Sequence, residues 1–163
     1  MWIFSLLLTT LYCLVYAVFF RLFPYFFNQP RPPFSKRSIY SIGIIVALSA
    51  LAYLISYHIP DIQLGNRFLH AFGGGFLAFL TCWLIVRDTK IKISKFRFFV
   101  FSLLIVTALG VGNELLEFFL QTTTGYPFSD SIIDTWLDLT SNTVGALITA
   151  VLLTPWLSKP SDT

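Results

Sequence analysis

The sequence predicts an all-α membrane protein, a single-domain bundle of about five transmembrane helices over residues 1–163. The composition is 56% hydrophobic and only 12% charged, whereas soluble globular chains carry about 25% charged residues. The mean hydropathy is +0.75. The apolar residues form runs of about 20, each long enough to cross roughly 30 Å of hydrocarbon as a helix. These three observations together indicate a polytopic membrane protein.

The five apolar runs are separated by short polar segments. They predict helices at about 2–23, 39–59, 67–86 and 98–120, and a last helix from Asp134 or Asp138 to about 157. Pro30, Pro32 and Pro33 interrupt the chain after the first run, because proline lacks the amide hydrogen that a helix interior requires. Pro60 closes the second run, and Asn66 is expected to cap the third helix.

The basic residues predict the orientation in the membrane. Ten of the eleven Lys and Arg residues lie in the first loop, the third loop or the C-terminal tail, and Arg67 is the remaining one. They are Arg21, Arg31, Lys36, Arg37, Arg87, Lys90, Lys92, Lys95, Arg97 and Lys159. Because cytoplasmic loops carry the positive excess, the N-terminus is expected outside and the C-terminus in the cytoplasm. The charge therefore indicates topology, and no nucleic-acid partner is expected.

The stretch from Gly110 to Gly145 concentrates the polar residues of this apolar chain. It contains five of the eight acidic residues, three amides, and no Lys or Arg. The acidic residues are Glu114, Glu117, Asp130, Asp134 and Asp138, and the amides are Asn113, Gln121 and Asn142. Charges inside a bilayer are costly and rare, so intramembrane carboxylates indicate a functional site by default.

Helical spacing predicts that these side chains converge. Glu114, Glu117 and Gln121 share one face of the fourth helix, and Asp134, Asp138 and Asn142 share one face of the last helix. His70 is expected about one turn inside the outer end of the third span. The predicted polar cluster contains His70, Asn113, Glu114, Glu117, Gln121, Asp134, Asp138 and Asn142. Glu114, Glu117 and Asp138 are the candidate catalytic residues.

Small residues beside the polar ones predict where the helices pack most closely. Gly74, Gly112, Ser141 and Gly145 are the candidate packing positions. In lipid, close backbone approach at such residues replaces the hydrophobic driving force that is available in water.

Three interpretations of the cluster compete. In the first it is structural: Asp138 caps the last helix and Arg67 pairs with one acid. In the second, His70, Glu117 and Asp138 bind a divalent metal ion, although no HExxH motif is present. In the third, Glu114 and Glu117 share a proton, because two like charges at close range in a low dielectric cannot both ionise. That last arrangement suits general acid–base chemistry or proton coupling.

The motif Glu114-Leu-Leu-Glu117-Phe, followed by Asp138-Leu-Thr-Ser-Asn142-Thr-Val-Gly145, resembles the signature of VanZ-like bacterial membrane proteins. The similarity extends over about residues 67–148, and Glu117 stands where the resistance-associated members carry Gln. The resemblance implies a multi-pass protein of the plasma (inner) membrane, with a role in the cell envelope or in resistance to teicoplanin-type glycopeptides.

The preferred expectation is a protein that acts on, or shields, a lipid-linked or glycopeptide-type ligand at the outer leaflet. A membrane-embedded hydrolase or transferase with a carboxylate as general base is the alternative, and a proton-coupled carrier is a third class. The expected partners are the lipid bilayer and a second copy of the chain. No cofactor is expected other than a divalent metal ion.

Overall fold

The computed structural model of the protein describes residues 2–125 and 131–157. Asp130, in the acidic stretch, and Lys159, in the basic tail, lie outside the described residues. The described part is helical and contains no strand. Its elements are α1 (Trp2–Phe26), α2 (Lys36–His58), α3 (Ile62–Leu69), a π-helical segment (His70–Leu77), α4 (Ala78–Thr89), α5 (Lys95–Thr124), α6 (Ile132–Leu153) and a 3₁₀ turn (Thr154–Trp156). Because α3, the π segment and α4 are continuous, five helices are long and apolar enough to span a membrane, as the sequence predicts.

The helices begin earlier than the apolar runs because polar residues cap them from outside. Ser35 accepts a hydrogen bond from the Ser38 amide at the start of α2, and Ser131 accepts one from the Asp134 amide at the start of α6. Such caps satisfy amides that have no partner within the helix. Since α6 begins at Ile132, Asp138 lies well inside the helix, and the prediction that it caps α6 is wrong.

The start of the third span also differs from the prediction. Asp61 caps α3 by accepting a hydrogen bond from the Leu64 amide, so the span begins at Ile62 and the prediction that Asn66 is the cap is wrong. Asn66 lies inside α3 and uses its amide group for a tertiary contact instead. His70 consequently lies about two turns inside its helix, one turn deeper than the sequence indicates.

The third span is the central rod of the bundle. It is 61% buried within the protein, against 22% to 33% for the other four spans. Its inward-facing side chains pack against aromatic residues of α1 and α5. The largest fully buried side chains of this core include Phe79, Leu77, Leu84 and Ile85 of the rod, Tyr16, Phe20 and Phe23 of α1, and Phe98 of α5.

The π segment lies directly against α6, and glycine permits the contact. A Cβ on Gly145 would overlap the main-chain oxygen of Ala71, and a Cβ on Gly74 would overlap the side-chain oxygen of Asn142. From α5, a Cβ on Gly110 would lie 3.1 Å from Nδ2 of the same Asn142. Three helices therefore meet around one buried amide, which requires small residues at the crossing.

One of the four predicted packing positions does not take part in this contact. Gly112 is exposed, and nothing lies within 4 Å of a Cβ built on it, so the prediction for Gly112 is wrong and Gly110 occupies the interface instead. Ser141 is half-buried, and its hydroxyl donates to the Leu137 carbonyl of its own helix at 2.8 Å. Residues two apart on a helix face nearly opposite directions, which is why only one of the two α5 glycines can reach α6.

A second buried polar group ties the other end of the bundle together. The side chain of Asp88, at the end of α4, is 0% exposed. It accepts hydrogen bonds from the Tyr16 hydroxyl at 2.7 Å, from Arg87 Nε at 2.9 Å and from the Ser41 hydroxyl. Arg87 also donates to Ser41. This network joins α1, α2 and α4 and leaves the carboxylate fully satisfied, as a buried charge requires.

The glycine contacts generate a stability prediction. Gly74→Ala and Gly145→Ala are each expected to lower the free energy of unfolding by about 1–3 kcal/mol or more, because the added methyl group overpacks the crossing of the π segment and α6. Gly112→Ala is the matched control; it should be neutral or slightly stabilising, since Ala favours helix by up to ~1 kcal/mol. Thermal unfolding of the detergent-solubilised variants measures both effects. Equal losses for Gly74→Ala and Gly112→Ala would contradict this account of the crossing.

Candidate functional site: a carboxylate and histidine cluster

The predicted site residues lie toward one end of the bundle, the end that carries the α2–α3 turn and the α5–α6 connection. His70 is the first residue of the π segment, Glu114 belongs to α5, and Asp138 belongs to α6. At 1.5 Å of rise per residue, the three lie roughly 9 to 15 Å inside the ends of their helices. The structure therefore brings together side chains from three spans at a similar depth.

One part of the cluster is an ion-pair network. Arg67 donates through its two terminal nitrogens to Asp134 and Asp138 at once, and it also donates to the Asp134 carbonyl at 3.3 Å. Asn66 Nδ2 donates to Asp138 Oδ1 at 3.2 Å. The planar guanidinium suits such bridging because its donors are held in a fixed fork. The interpretation that Arg67 pairs with an acid is confirmed, and it pairs with two.

His70 links this network to α5. Its Nε2 lies 3.3 Å from Asp138 Oδ1, and its Nδ1 lies 3.9 Å from Glu114 Oε1. The second distance is too long for a hydrogen bond. Glu114 Oε1 is buried and has no hydrogen-bond partner among the described residues, and the side chain of Glu114 is 7% exposed. Glu114 is thus the least satisfied carboxylate of the cluster.

The remaining predicted residues surround this group. Glu117 is buried and accepts a hydrogen bond from Asn113 Nδ2 at 2.8 Å, one turn earlier on α5. Gln121 is half-buried and continues the same face. Asn142 is 4% exposed, and its side-chain oxygen is buried without a hydrogen-bond partner in the described part of the chain. No hydrogen bond joins the carboxyl groups of Glu114 and Glu117.

The cluster has an excess of negative charge. Its carboxyl groups are those of Glu114, Glu117, Asp134 and Asp138, and Arg67 is the one cation of this end of the described chain. A buried charge that is not paired costs several kcal/mol, so full ionisation of all four groups requires another positive charge. Protonation of some of the acids or a bound cation lowers this excess of negative charge.

The geometry bears on the structural and the metal-binding interpretations of the cluster. The structural interpretation accounts for Asp134 and Asp138, which Arg67 and Asn66 satisfy, but it leaves the buried Oε1 of Glu114 without a hydrogen-bond donor among the described residues. For a metal ion, the close group of the described residues is His70, Glu114 and Asp138, whose ligand atoms lie within 4.8 Å of one another. The sequence predicts Glu117 as the third ligand beside His70 and Asp138. In the structure Glu114 occupies that position, and Glu117 does not belong to the close group.

Two features of the polar structure are absent from the sequence predictions. The sequence predicts Asn66 to be a cap, although its spacing of four residues before His70 places both on one face of the rod. Asp88 is not among the predicted site residues, because it stands between basic residues that define the topology. Its signal in the sequence is weak: one carboxylate at the end of an apolar run, directly after Arg87.

The fold and the site define a five-span helical membrane protein with a buried polar cluster at one end. The chain belongs to a family of membrane proteins of unknown function: residues 1–159 match the family described as "Predicted membrane protein (DUF2238)". No curated protein and no solved structure matches the chain. The family match does not confirm the resemblance to VanZ-like proteins, which stays a prediction from the motif.

The ion-pair network generates a second prediction. Arg67→Gln is expected to lower the free energy of unfolding by about 3–5 kcal/mol, because it leaves two carboxylates buried without their counter-charge. The double variant Arg67→Gln, Asp138→Asn should lose less than the sum of the two single variants, since it removes one of the stranded charges. Unfolding of the purified variants in detergent measures the coupling. Strict additivity would show that the pair contributes nothing to stability.

Proposed function

We propose that the protein acts in the bacterial cell envelope, where its carboxylate and histidine cluster binds a lipid-linked or glycopeptide-type ligand at the outer leaflet of the plasma membrane. The observation that carries the proposal is the buried oxygen Oε1 of Glu114, which lies near His70 and accepts no hydrogen bond from the described residues. Stability alone gives no reason to keep an acceptor oxygen without a donor there, and intramembrane acids are typical of functional sites.

The surface next to the cluster supports a ligand that comes from the lipid phase. On α5, Leu115 and Phe118 are 63% and 67% exposed and directly follow Glu114 and Glu117 in the chain. On α6, Leu137 is 45% exposed and precedes Asp138. The acids are thus within one residue of positions that face the hydrocarbon. A headgroup that is anchored by its own lipid chain can approach the cluster sideways, without crossing the bilayer.

The resemblance of the α5 and α6 motifs to VanZ-like proteins supports the compartment and the ligand class. This resemblance indicates the cell envelope as the compartment and teicoplanin-type glycopeptides as a ligand class. The excess of Lys and Arg at the opposite end of the bundle supports an outward-facing cluster.

A second candidate function is a membrane-embedded hydrolase or transferase on the same lipid-linked ligand. The observation that favours it is the 3.3 Å approach of His70 Nε2 to Asp138 Oδ1. A carboxylate in that position orients an imidazole for general acid–base catalysis, and Glu114 on the other side of the ring is a further proton acceptor.

The orientation is tested by labelling single cysteines in intact cells. Gln63→Cys, at the start of α3, and Pro30→Cys, between α1 and α2, are exposed positions at opposite ends of the bundle. In a background with Cys13 and Cys82 replaced by Ala, a membrane-impermeant maleimide should label the first in intact cells and the second only after disruption. The reverse pattern would place the cluster at the cytoplasmic face and remove the outer-leaflet ligand.

Ligand binding is tested with the purified protein in lipid nanodiscs. The probes are a polyprenyl-diphosphate-linked peptidoglycan precursor and teicoplanin, and native mass spectrometry measures the bound fraction. Glu114→Gln is expected to weaken binding by roughly tenfold or more, because hydrogen bonds to charged groups contribute about 1.5–3 kcal/mol. Its thermal stability should stay close to that of the wild type.

Asp61→Asn is the matched control for ligand binding. It removes one negative charge from the same end of the bundle but keeps the cap of α3, since Asn caps helices as well as Asp. Unchanged binding in this variant together with weaker binding in Glu114→Gln supports the cluster as the site. Binding of neither probe by the wild-type protein, or equal affinity in wild type and Glu114→Gln, would refute the proposal.

A further inference from the structure

We infer that His70, Glu114 and Asp138 form a binding site for a divalent transition-metal ion of the Mn²⁺ and Zn²⁺ class. Each residue comes from a different span: the π segment, α5 and α6. The inference deepens the proposed function and rests on it for the role of the ion, because both concern the same cluster. The metal site itself requires no lipid-linked ligand.

The distances are those of a site that closes with small side-chain movements. One ligand atom from each of the three residues lies within 4.8 Å of the other two. Nitrogen and oxygen ligands about 2.1 Å from a metal ion are separated by roughly 3–3.5 Å from each other. Asp138 Oδ1 is already at 3.3 Å from His70 Nε2. Glu114 Oε1 lies 3.9 Å from the other ring nitrogen, Nδ1. Because one ion is bound through one nitrogen of the ring, the Glu114 carboxyl group or the imidazole must move by about 1–2 Å for all three residues to bind the same ion.

The unpartnered oxygen of Glu114 is an independent observation that points to a cation. Glu114 Oε1 is buried, lies 3.9 Å from His70 Nδ1 and accepts no hydrogen bond from the described residues. The side-chain oxygen of Asn142 is buried without a partner as well. A structural cluster would be expected to satisfy these acceptors, because buried polar groups without partners destabilise the fold. A cation satisfies several acceptors at one point.

The donor set indicates which ion binds. An imidazole nitrogen with two carboxylate oxygens and no thiolate suits Mn²⁺, Fe²⁺ or Zn²⁺. Calcium usually takes six to eight oxygen ligands, more than this group offers. The two cysteines of the chain lie elsewhere, Cys13 in α1 and Cys82 in α4, so copper(I) is not favoured.

The surrounding hydrogen bonds are those expected around metal ligands. Asn66 and Arg67 both donate to Asp138 and fix the orientation of its carboxyl group. Such outer contacts orient ligands and tune the affinity of metal sites. Asp138 Oδ1 lies against Arg67, Asn66 and His70 Nε2 at once, and Asp138 Oδ2 accepts from Asn66 Nδ2 at 3.4 Å.

A metal ion also resolves an electrostatic difficulty in the proposed function. A diphosphate-linked lipid is negatively charged, and four carboxyl groups with one guanidinium would repel it. A divalent ion between the carboxylates and the phosphate oxygens offsets part of the negative charge and bridges the two. The lipid-linked ligand and the acidic cluster are compatible through that ion.

The experiment measures Mn²⁺ binding to the purified chain in nanodiscs without any lipid-linked ligand. After chelation and removal of the chelator, Mn²⁺ is titrated and the free ion is followed by electron paramagnetic resonance, with Zn²⁺ as competitor. The expected result is about one Mn²⁺ per chain, as in a mononuclear site with three protein ligands. His70→Ala and Glu114→Gln should each weaken binding by on the order of 100-fold, since even outer-contact changes cost 10–100-fold.

Asp61→Asn serves as the matched control and should bind Mn²⁺ like the wild type. Circular dichroism and gel filtration establish that each variant is folded, and Glu114→Gln, which keeps the size of the side chain, covers the case in which His70→Ala does not fold. Absence of saturable Mn²⁺ and Zn²⁺ binding in the folded wild type, or equal affinity in wild type and Glu114→Gln, overturns the inference.

The outcomes separate the metal site from the proposed function. Saturable metal binding with no binding of the lipid-linked probe supports the metal site and refutes the proposed function. Binding of the lipid-linked probe that is unchanged after chelation supports the proposed function and overturns the metal as its partner.

Discussion

The cost of ionised groups in a medium of low dielectric governs this structure. One guanidinium, that of Arg67, lies against two carboxylates and cannot neutralise the two further acids of α5. Each of these groups must be close to a donor, a proton or a cation, because hydrocarbon offers no water to replace them. The close crossing of the π segment and α6 at Gly74 and Gly145 brings the helices near enough for these contacts. The close packing of the helices is therefore a condition for pairing the charged groups.

The five spans could be predicted because a transmembrane helix produces a long apolar run, which is a strong signal in any sequence. The ends of the helices could not, because they depend on single side chains outside those runs. Ser35, Asp61 and Ser131 each begin a helix several residues before the position that hydropathy indicates. Asn66, a good capping residue by type, is displaced from that role because Asp61 reaches the α3 amides first.

The convergence of acids and His70 could be predicted from spacing, since residues three or four apart share a helix face. The partner of each acid could not. Glu114 and Glu117 differ by about 60° around α5, and that rotation decides which of them faces His70. The same reasoning applies to Gly110 and Gly112, which point in nearly opposite directions. The rotation of a helix about its axis is set by the whole interface, and the sequence of one helix does not contain it.

The two buried polar networks have a mechanical consequence for the central rod. Near one end, Arg67 is bound to α6, and at the other, Asp88 is bound to α1 and α2. A rod that is anchored near both ends resists sliding along its axis, because any translation breaks charged contacts at each end. The acids of α5 have looser contacts, with Glu114 3.9 Å from the His70 ring. The charged contacts thus fix the position of the rod along its axis, and the Glu114 side chain of α5 is the part of the cluster that they hold least tightly.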